Sequence, residues 1–76
     1  MIVLESKETG EKVPAFEITT ISEVKSSFTV VVLDNSVKLN VSRKHEVNVG
    51  DFIIFHIDRR EFIGRKVVED RFYIVE

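Results

Sequence analysis

Positively charged side chains are the residues whose types and spacing best suggest a chemical role for this chain. Positions 35 to 45 contain no acid, and this run ends with Arg43, Lys44 and His45. Proteins that bind single-stranded nucleic acid combine such cations, which contact phosphates, with aromatic rings on which bases stack. The sequence therefore predicts a nucleic-acid-binding face with seven phosphate contacts. These are Lys38, Arg43, Lys44, Arg59, Arg60, Arg65 and Lys66.

A second interpretation of the same charges is that they pair with one another at the surface. Every arginine lies in the second half of the chain, and four acids interleave with them: Asp58, Glu61, Glu69 and Asp70. Mixed charge of this kind keeps exposed strands soluble and protects their edges. The aromatic residues nearest in sequence to the arginines are Phe62, Phe72 and Tyr73, and phenylalanine is a common core residue. The net charge of −2 argues against a general nucleic-acid coat protein.

Catalytic chemistry is not predicted, so we expect a protein that is not an enzyme. No pair of carboxylates lies on an apolar strand where burial would separate their pKa values, and no glycine-rich loop could cradle a phosphate. Alternation places His56 on the same strand face as Phe52 and Ile54, where a hydrogen-bonded, partly buried histidine is expected. With His45 as the only other histidine and no cysteine, we expect neither a metal site nor a cofactor.

The length of 76 residues predicts a single small domain covering positions 1–76. Such a chain buries only about 60% of its unfolded surface, so its stability margin is small. Cysteine is absent, which excludes disulfides and suits a cytoplasmic protein. There is no apolar run near 18 residues and no signal-peptide pattern at the N-terminus, so we expect no membrane contact.

Short β-type segments separated by turn residues predict the all-β class. Val, Ile, Thr and Phe dominate these segments, and no helix of convincing length is indicated. The polar segment 5–12 is predicted to be a flexible loop or the tip of a hairpin, and a bulge near Thr20 is expected because the apolar pattern changes register there. The predicted strands are Met1–Leu4, one that begins at Val13, Phe28–Leu33, Val37–Ser42, Phe52–Ile57, Phe62–Val68 and Phe72–Val75. Closing them into a five- to six-stranded barrel would hide the strand edges of so small a chain.

Three local patterns set the predicted connections. Asp34-Asn35-Ser36 is typical of a hairpin turn, and Gly50-Asp51 predicts a sharp turn into the next strand. Gly64 is expected to loosen the strand Phe62–Val68 at a bulge or corner, and Glu69–Arg71 is expected to form a tight turn. The two terminal strands either pair with each other or accept a strand from another chain.

Residues 28–57 resemble an oligonucleotide/oligosaccharide-binding (OB) barrel of the translation-initiation-factor and cold-shock type. The resemblance consists of the strand Phe28–Leu33 ending in Asp34, the return strand, the basic connection Ser42-Arg43-Lys44, and Val47-Asn-Val-Gly50-Asp51 before an apolar strand. The chain has no evident helix between the third and fourth strands of such a barrel. A Gly-Asp turn before a strand also occurs in SH3-like barrels, which remain the alternative fold.

Two functional hypotheses follow. In the first, the protein binds single-stranded DNA or RNA, or structured RNA, through its cationic face. In the second, it is a protein-interaction or assembly module, a homo-oligomer for instance, that uses its edge strands and does not contact nucleic acid.

Overall fold

The computed structural model describes all residues from Met1 to Glu76, and they form a seven-stranded antiparallel sheet with one short helix. The all-β prediction is confirmed. The sheet has seven strands rather than five or six, and it is not closed. The elements in chain order are β1 (Ile2–Ser6), β2 (Lys12–Val24), β3 (Phe28–Leu33), β4 (Lys38–Ser42), β5 (Phe52–Phe55), β6 (Arg60–Ile63), α1 (Arg65–Arg71) and β7 (Phe72–Ile74).

The longest strand, β2, pairs with three other strands along its 13 residues. Its first part pairs with β1, its middle with β5, and its last part with β3. The β2–β3 register shifts between Ile18 and Thr20, and again between Ile21 and Glu23. The predicted bulge near Thr20 is therefore confirmed, and it lets Ile18 and Ile21 face the same core. A bulge bends its strand. This bend lets β2 pair with β1 in its first part and with β3 in its last part.

The sheet branches at β2. One path runs β4-β3-β2-β1-β7, while β5 pairs with the middle of β2 and β6 pairs with β5. At the end of the first path, β1 and β7 are antiparallel, with Leu4 opposite Ile74, and the Val75 N–H donates to the Val3 carbonyl at 3.0 Å. The two terminal strands thus pair with each other, which is one of the two outcomes that the sequence allowed.

The core consists of two clusters of buried side chains. Cluster 1 lies under α1 and β1, and cluster 2 lies between β2, β3, β4 and β5. Cluster 1 contains Leu4, Ala15, Phe52, Ile54, Ile63 and Val68. Cluster 2 contains Ile18, Val31, Leu33, Val41 and Ile53. Because successive side chains of a strand point to opposite faces, β5 contributes to both clusters.

The predictions of a strand over Phe62–Val68 and a tight turn over Glu69–Arg71 are wrong. The strand ends at Ile63, and α1 occupies Arg65–Arg71. Two adjacent valines in this segment favour a strand by intrinsic preference. The helix nevertheless buries Val68 completely in cluster 1, and tertiary burial routinely overrides such preferences. Gly64 is the residue before the helix, in extended backbone, rather than a strand bulge.

Two other boundaries differ from the sequence prediction. The strand expected over Phe52–Ile57 ends at Phe55, and β6 begins at Arg60, two residues before the expected start at Phe62. The segment 5–12 forms the tip of a hairpin, one of the two outcomes expected for it, since β1 continues to Ser6 and β2 begins at Lys12. The Ser6 hydroxyl accepts hydrogen bonds from two N–H groups of this turn. No helix in the structure has the length and apolar character needed to cross a membrane.

Candidate nucleic-acid interface

The seven cations predicted to contact phosphate lie on three separate parts of the fold. The first group flanks β4: Lys38 begins the strand, and Arg43 and Lys44 follow its end. The second group, Arg59 and Arg60, lies where β6 begins. The third group, residues 65–66, starts α1. The fold therefore divides the predicted phosphate contacts between separate surfaces, and each group has different neighbours.

Arg65 is occupied by contacts within the protein. Its Nη2 lies 3.0 Å from Glu17 Oε2, and its Nε donates to the Gly50 carbonyl at 3.0 Å. The guanidinium carbon lies 5.0 Å from the centroid of the Phe52 ring. Gly50 has a φ of +96°, and a Cβ there would lie 3.1 Å from Arg65 Nε. Arg65 thus joins β2, the turn before β5 and α1, and we assign it a structural role.

Arg43 and Arg59 are each engaged by a neighbour. Arg43 Nη1 donates to the Lys25 carbonyl at 2.7 Å, which ties the end of β4 to the turn between β2 and β3. Arg59 Nη1 lies 3.6 Å from Glu61 Oε1, an atom that is also 2.9 Å from His56 Nε2. His56 is therefore hydrogen-bonded, as predicted. Its side chain is 35% exposed, just beyond the end of β5.

The remaining predicted cations are free of such contacts. Their side chains are exposed and make no hydrogen bond or ion pair with any other residue of the chain. They are Lys38, Lys44, Arg60 and Lys66. Surface cations without a partner are the ones that can neutralise a phosphate without first breaking an internal contact.

The outer face of β3 and β4 places one of these free cations beside groups that suit bases. Residues directly opposite each other on neighbouring strands share a face. Thr29 and Val31 pair with Val41 and Leu39 on the inner side, next to cluster 2. The outer pairs are therefore Phe28 with Ser42, Val30 with Asn40, and Val32 with Lys38.

This outer face carries an aromatic ring and a hydroxyl at one end, a cation at the other, and an amide between them. Val30 at its centre is buried, with 8% exposure, and Phe28 and Val32 are half-buried, whereas Lys38, Asn40 and Ser42 are exposed. Neither strand contains an acid. Glu23 of the neighbouring strand β2 pairs with Val30 and so shares this face, and its carboxylate lies 3.9 Å from the Lys25 ammonium. The alternation of β4 predicted its three outward residues, but the pairing with Phe28 needed the register.

The three aromatics nearest to the arginines in sequence have other positions. The Phe62 ring lies 4.9 Å from the His45 ring, and Phe72 packs against cluster 1. Tyr73 lies under the Lys7 ammonium, 5.0 Å from its ring centroid. The contact between His45 and Phe62 joins the connection after β4 to β6. The strands β4 and β6 are not paired through their backbones, so this side-chain contact links them. The Phe62 and Phe72 rings therefore pack against the two core clusters, whereas Tyr73 is exposed on the edge strand β7.

No protein-family model, curated protein or solved structure matches this chain.

Proposed function

We propose that this protein is a non-enzymatic module that binds single-stranded nucleic acid on the outer face of β3 and β4. One observation carries the proposal: Phe28, Asn40, Ser42 and Lys38 share a face on two strands that contain no acid. An aromatic ring supplies a stacking surface, the amide and hydroxyl can bond to base edges, and the cation attracts phosphate.

The order of the strands supports this proposal and an OB-like interpretation of residues 12–63. In this unit the first strand, β2, pairs with the second, β3, and with the fourth, β5. The second pairs with the third, β4, and the fourth with the fifth, β6. OB-folds are five-stranded, partly open barrels that bind oligonucleotides on the face of their second and third strands. The corresponding strands here are β3 and β4, with β1, β7 and α1 added outside the unit.

The charge distribution predicts weak binding with a measurable dependence on salt. The chain is net negative, so affinity depends on a few local cations rather than on a general positive field. The strand β4 spans about 17 Å, with Lys38 at one end and Lys44 beyond the other. If these two lysines each neutralise one phosphate, log K should fall with log salt with a slope of about −1.4 for a single strand.

Fluorescence anisotropy of a labelled single-stranded oligonucleotide, titrated at low and moderate salt, tests the proposal. Replacing both Lys38 and Lys44 by Gln should weaken binding and flatten the salt dependence. The matched control replaces Lys12 and Lys66, two exposed lysines outside the proposed face, and so removes the same net charge. Equal losses in the two double variants would show that net charge, not this face, governs binding. Absence of binding by the unmodified protein at low salt would reject the proposal.

A protein-interaction role is the second candidate, and the open edge of β7 favours it. This strand ends the sheet, and Tyr73, Ile74 and Val75 are all exposed there. An extended segment of another chain could add to that edge through backbone hydrogen bonds. Light scattering over a range of concentrations tests self-association, and Ile74→Lys should abolish any oligomer that uses this edge. A protein that stays monomeric at every concentration would exclude the homo-oligomer.

A further inference from the structure

We infer that Phe55 and Arg60 form a second contact point, where one base of the bound strand stacks on the Phe55 ring and Arg60 contacts an adjacent phosphate. This inference rests on the proposed function, because it assigns two more residues to the same ligand. It concerns the hairpin of β5 and β6 rather than the face of β3 and β4.

Phe55 differs from the other residues of its strand in being exposed. Phe52 and Ile53 are completely buried and Ile54 is 5% exposed, whereas Phe55 is 45% exposed. The Phe16 ring supports it from one side, with ring centroids 5.5 Å apart at an interplanar angle of 74°. An edge-to-face contact of this kind holds an aromatic ring in place. Phe55 thus presents a supported ring to solvent.

Arg60 lies directly opposite Phe55 in the antiparallel pair of β5 and β6. Directly opposite residues share a face, with Cβ atoms about 5 Å apart. Arg60 is exposed and has no ion pair, whereas the neighbouring Arg59 is engaged by Glu61. A planar guanidinium matches the geometry of a phosphate. A supported ring with an unpaired arginine beside it therefore supplies both contacts that a nucleotide requires.

A nucleotide suits this patch better than an apolar protein surface does. Phe55 and the fully exposed Ile57 are its exposed apolar residues, and they offer too little area to bind a protein without further contacts. Stacking of one base needs only one ring, and each stacked base typically contributes about five- to 150-fold in affinity. The unpaired charge of Arg60 complements a phosphate group.

Tryptophan fluorescence tests the stacking directly, because the chain contains no tryptophan. In Phe55→Trp, a single-stranded oligothymidylate should quench the emission, while an abasic strand with the same number of phosphates should not. The control variant Tyr73→Trp, with its ring on β7, should show no quenching by either strand. Equal quenching of Phe55→Trp by the abasic strand would overturn the inference, since it would show proximity without stacking.

Affinities of two substitutions complete the test. Phe55→Leu keeps an apolar side chain but removes the ring, so binding should weaken at least about fivefold with an unchanged salt slope. Arg60→Gln should reduce the magnitude of the slope by about 0.7. Circular dichroism confirms that each variant is folded.

The outcomes separate this inference from the proposed function. If the unmodified protein binds the oligonucleotide but Phe55→Leu binds it equally well, only the inference fails. If the unmodified protein does not bind at all, both fail. If Phe55→Leu instead abolishes self-association, the patch is a protein contact and the inference is wrong.

Discussion

Arg65 and Arg60 lie five positions apart in the chain and have opposite environments. Arg65 bonds to a carboxylate on β2 and to the carbonyl of Gly50, and its guanidinium covers the Phe52 ring. Arg60 lies on an exposed strand face and has no partner within the chain. The same contrast holds for two aromatic rings, since Phe52 is buried beneath Arg65 and Phe55 is exposed opposite Arg60.

The difference shows why a count of charges does not identify a binding surface. Both arginines were equally good phosphate contacts in the sequence, where each has acids close by. The fold gives Arg65 a carboxylate 48 residues away, and it leaves Arg60 without a partner. A cation is available to a ligand only where tertiary contacts leave it without a partner. The comparison of the two arginines and the two rings leads to four predictions.

The largest expected effect comes from truncating the two rings. Phe52→Ala should destabilise the protein by about 3–5 kcal/mol, because it leaves a cavity in cluster 1. Phe55→Ala should cost less, about 1–2 kcal/mol, since Phe55 is already 45% exposed and loses mainly its contact with Phe16. Urea denaturation measures both free energies of unfolding. Similar losses in the two variants would show that Phe55 belongs to the core after all.

Alanine substitution of two glycines should come next in size. Gly50→Ala should cost about 1–3 kcal/mol, because Gly50 has a positive φ and a Cβ would crowd Arg65 Nε. Gly64→Ala is the matched control, since a Cβ there meets nothing within 4 Å. That control should stay within about 0.5 kcal/mol of the unmodified protein. Thermal unfolding followed by circular dichroism ranks the two variants.

Removing the two arginines should have a smaller effect on stability, and an unequal one. Arg65→Met keeps the apolar stem but loses both hydrogen bonds, so we expect a cost of about 1–2 kcal/mol, limited by partial exposure. Arg60→Met should cost about 0.5 kcal/mol or less. The free energies of unfolding in urea provide the measurement, and equal costs would contradict the division between structural and free cations.

The smallest effect should be on salt dependence alone. Lys38→Gln should reduce the magnitude of the slope of log K against log salt by about 0.7 without changing stability. Arg65→Met should leave that slope unchanged under conditions where the variant is folded. Anisotropy titrations at several salt concentrations distinguish the two. A slope that changes only in the Arg65 variant would reverse our assignment of roles.

The sequence predicted the features that depend on local patterns. Alternation located β3 and β4 within one residue at each end, and the change of register at Thr20 predicted the bulge in β2. Gly50-Asp51 predicted the turn before β5, and the side chain of Asp51 accepts the Asn48 N–H at 2.9 Å in that turn.

The features that sequence reasoning missed depend on contacts between distant residues. The helix α1 exists because Val68 is buried against strands from the other end of the chain, which the local pattern of two valines could not reveal. The outward pairing of Phe28 with Ser42 depended on the strand register, and the separation of Arg65 from the free cations depended on Glu17. Element types were therefore more predictable than the environment of any individual charge.

The bent strand β2 contributes Ala15 to cluster 1 and Ile18 to cluster 2, only three residues apart. Because β2 contributes side chains to both clusters, we expect the two halves of the molecule to unfold together. Calorimetry should therefore record one cooperative transition. A destabilising change beneath the helix should then lower the fraction of molecules able to capture a ligand on the opposite side, even though it never touches that ligand.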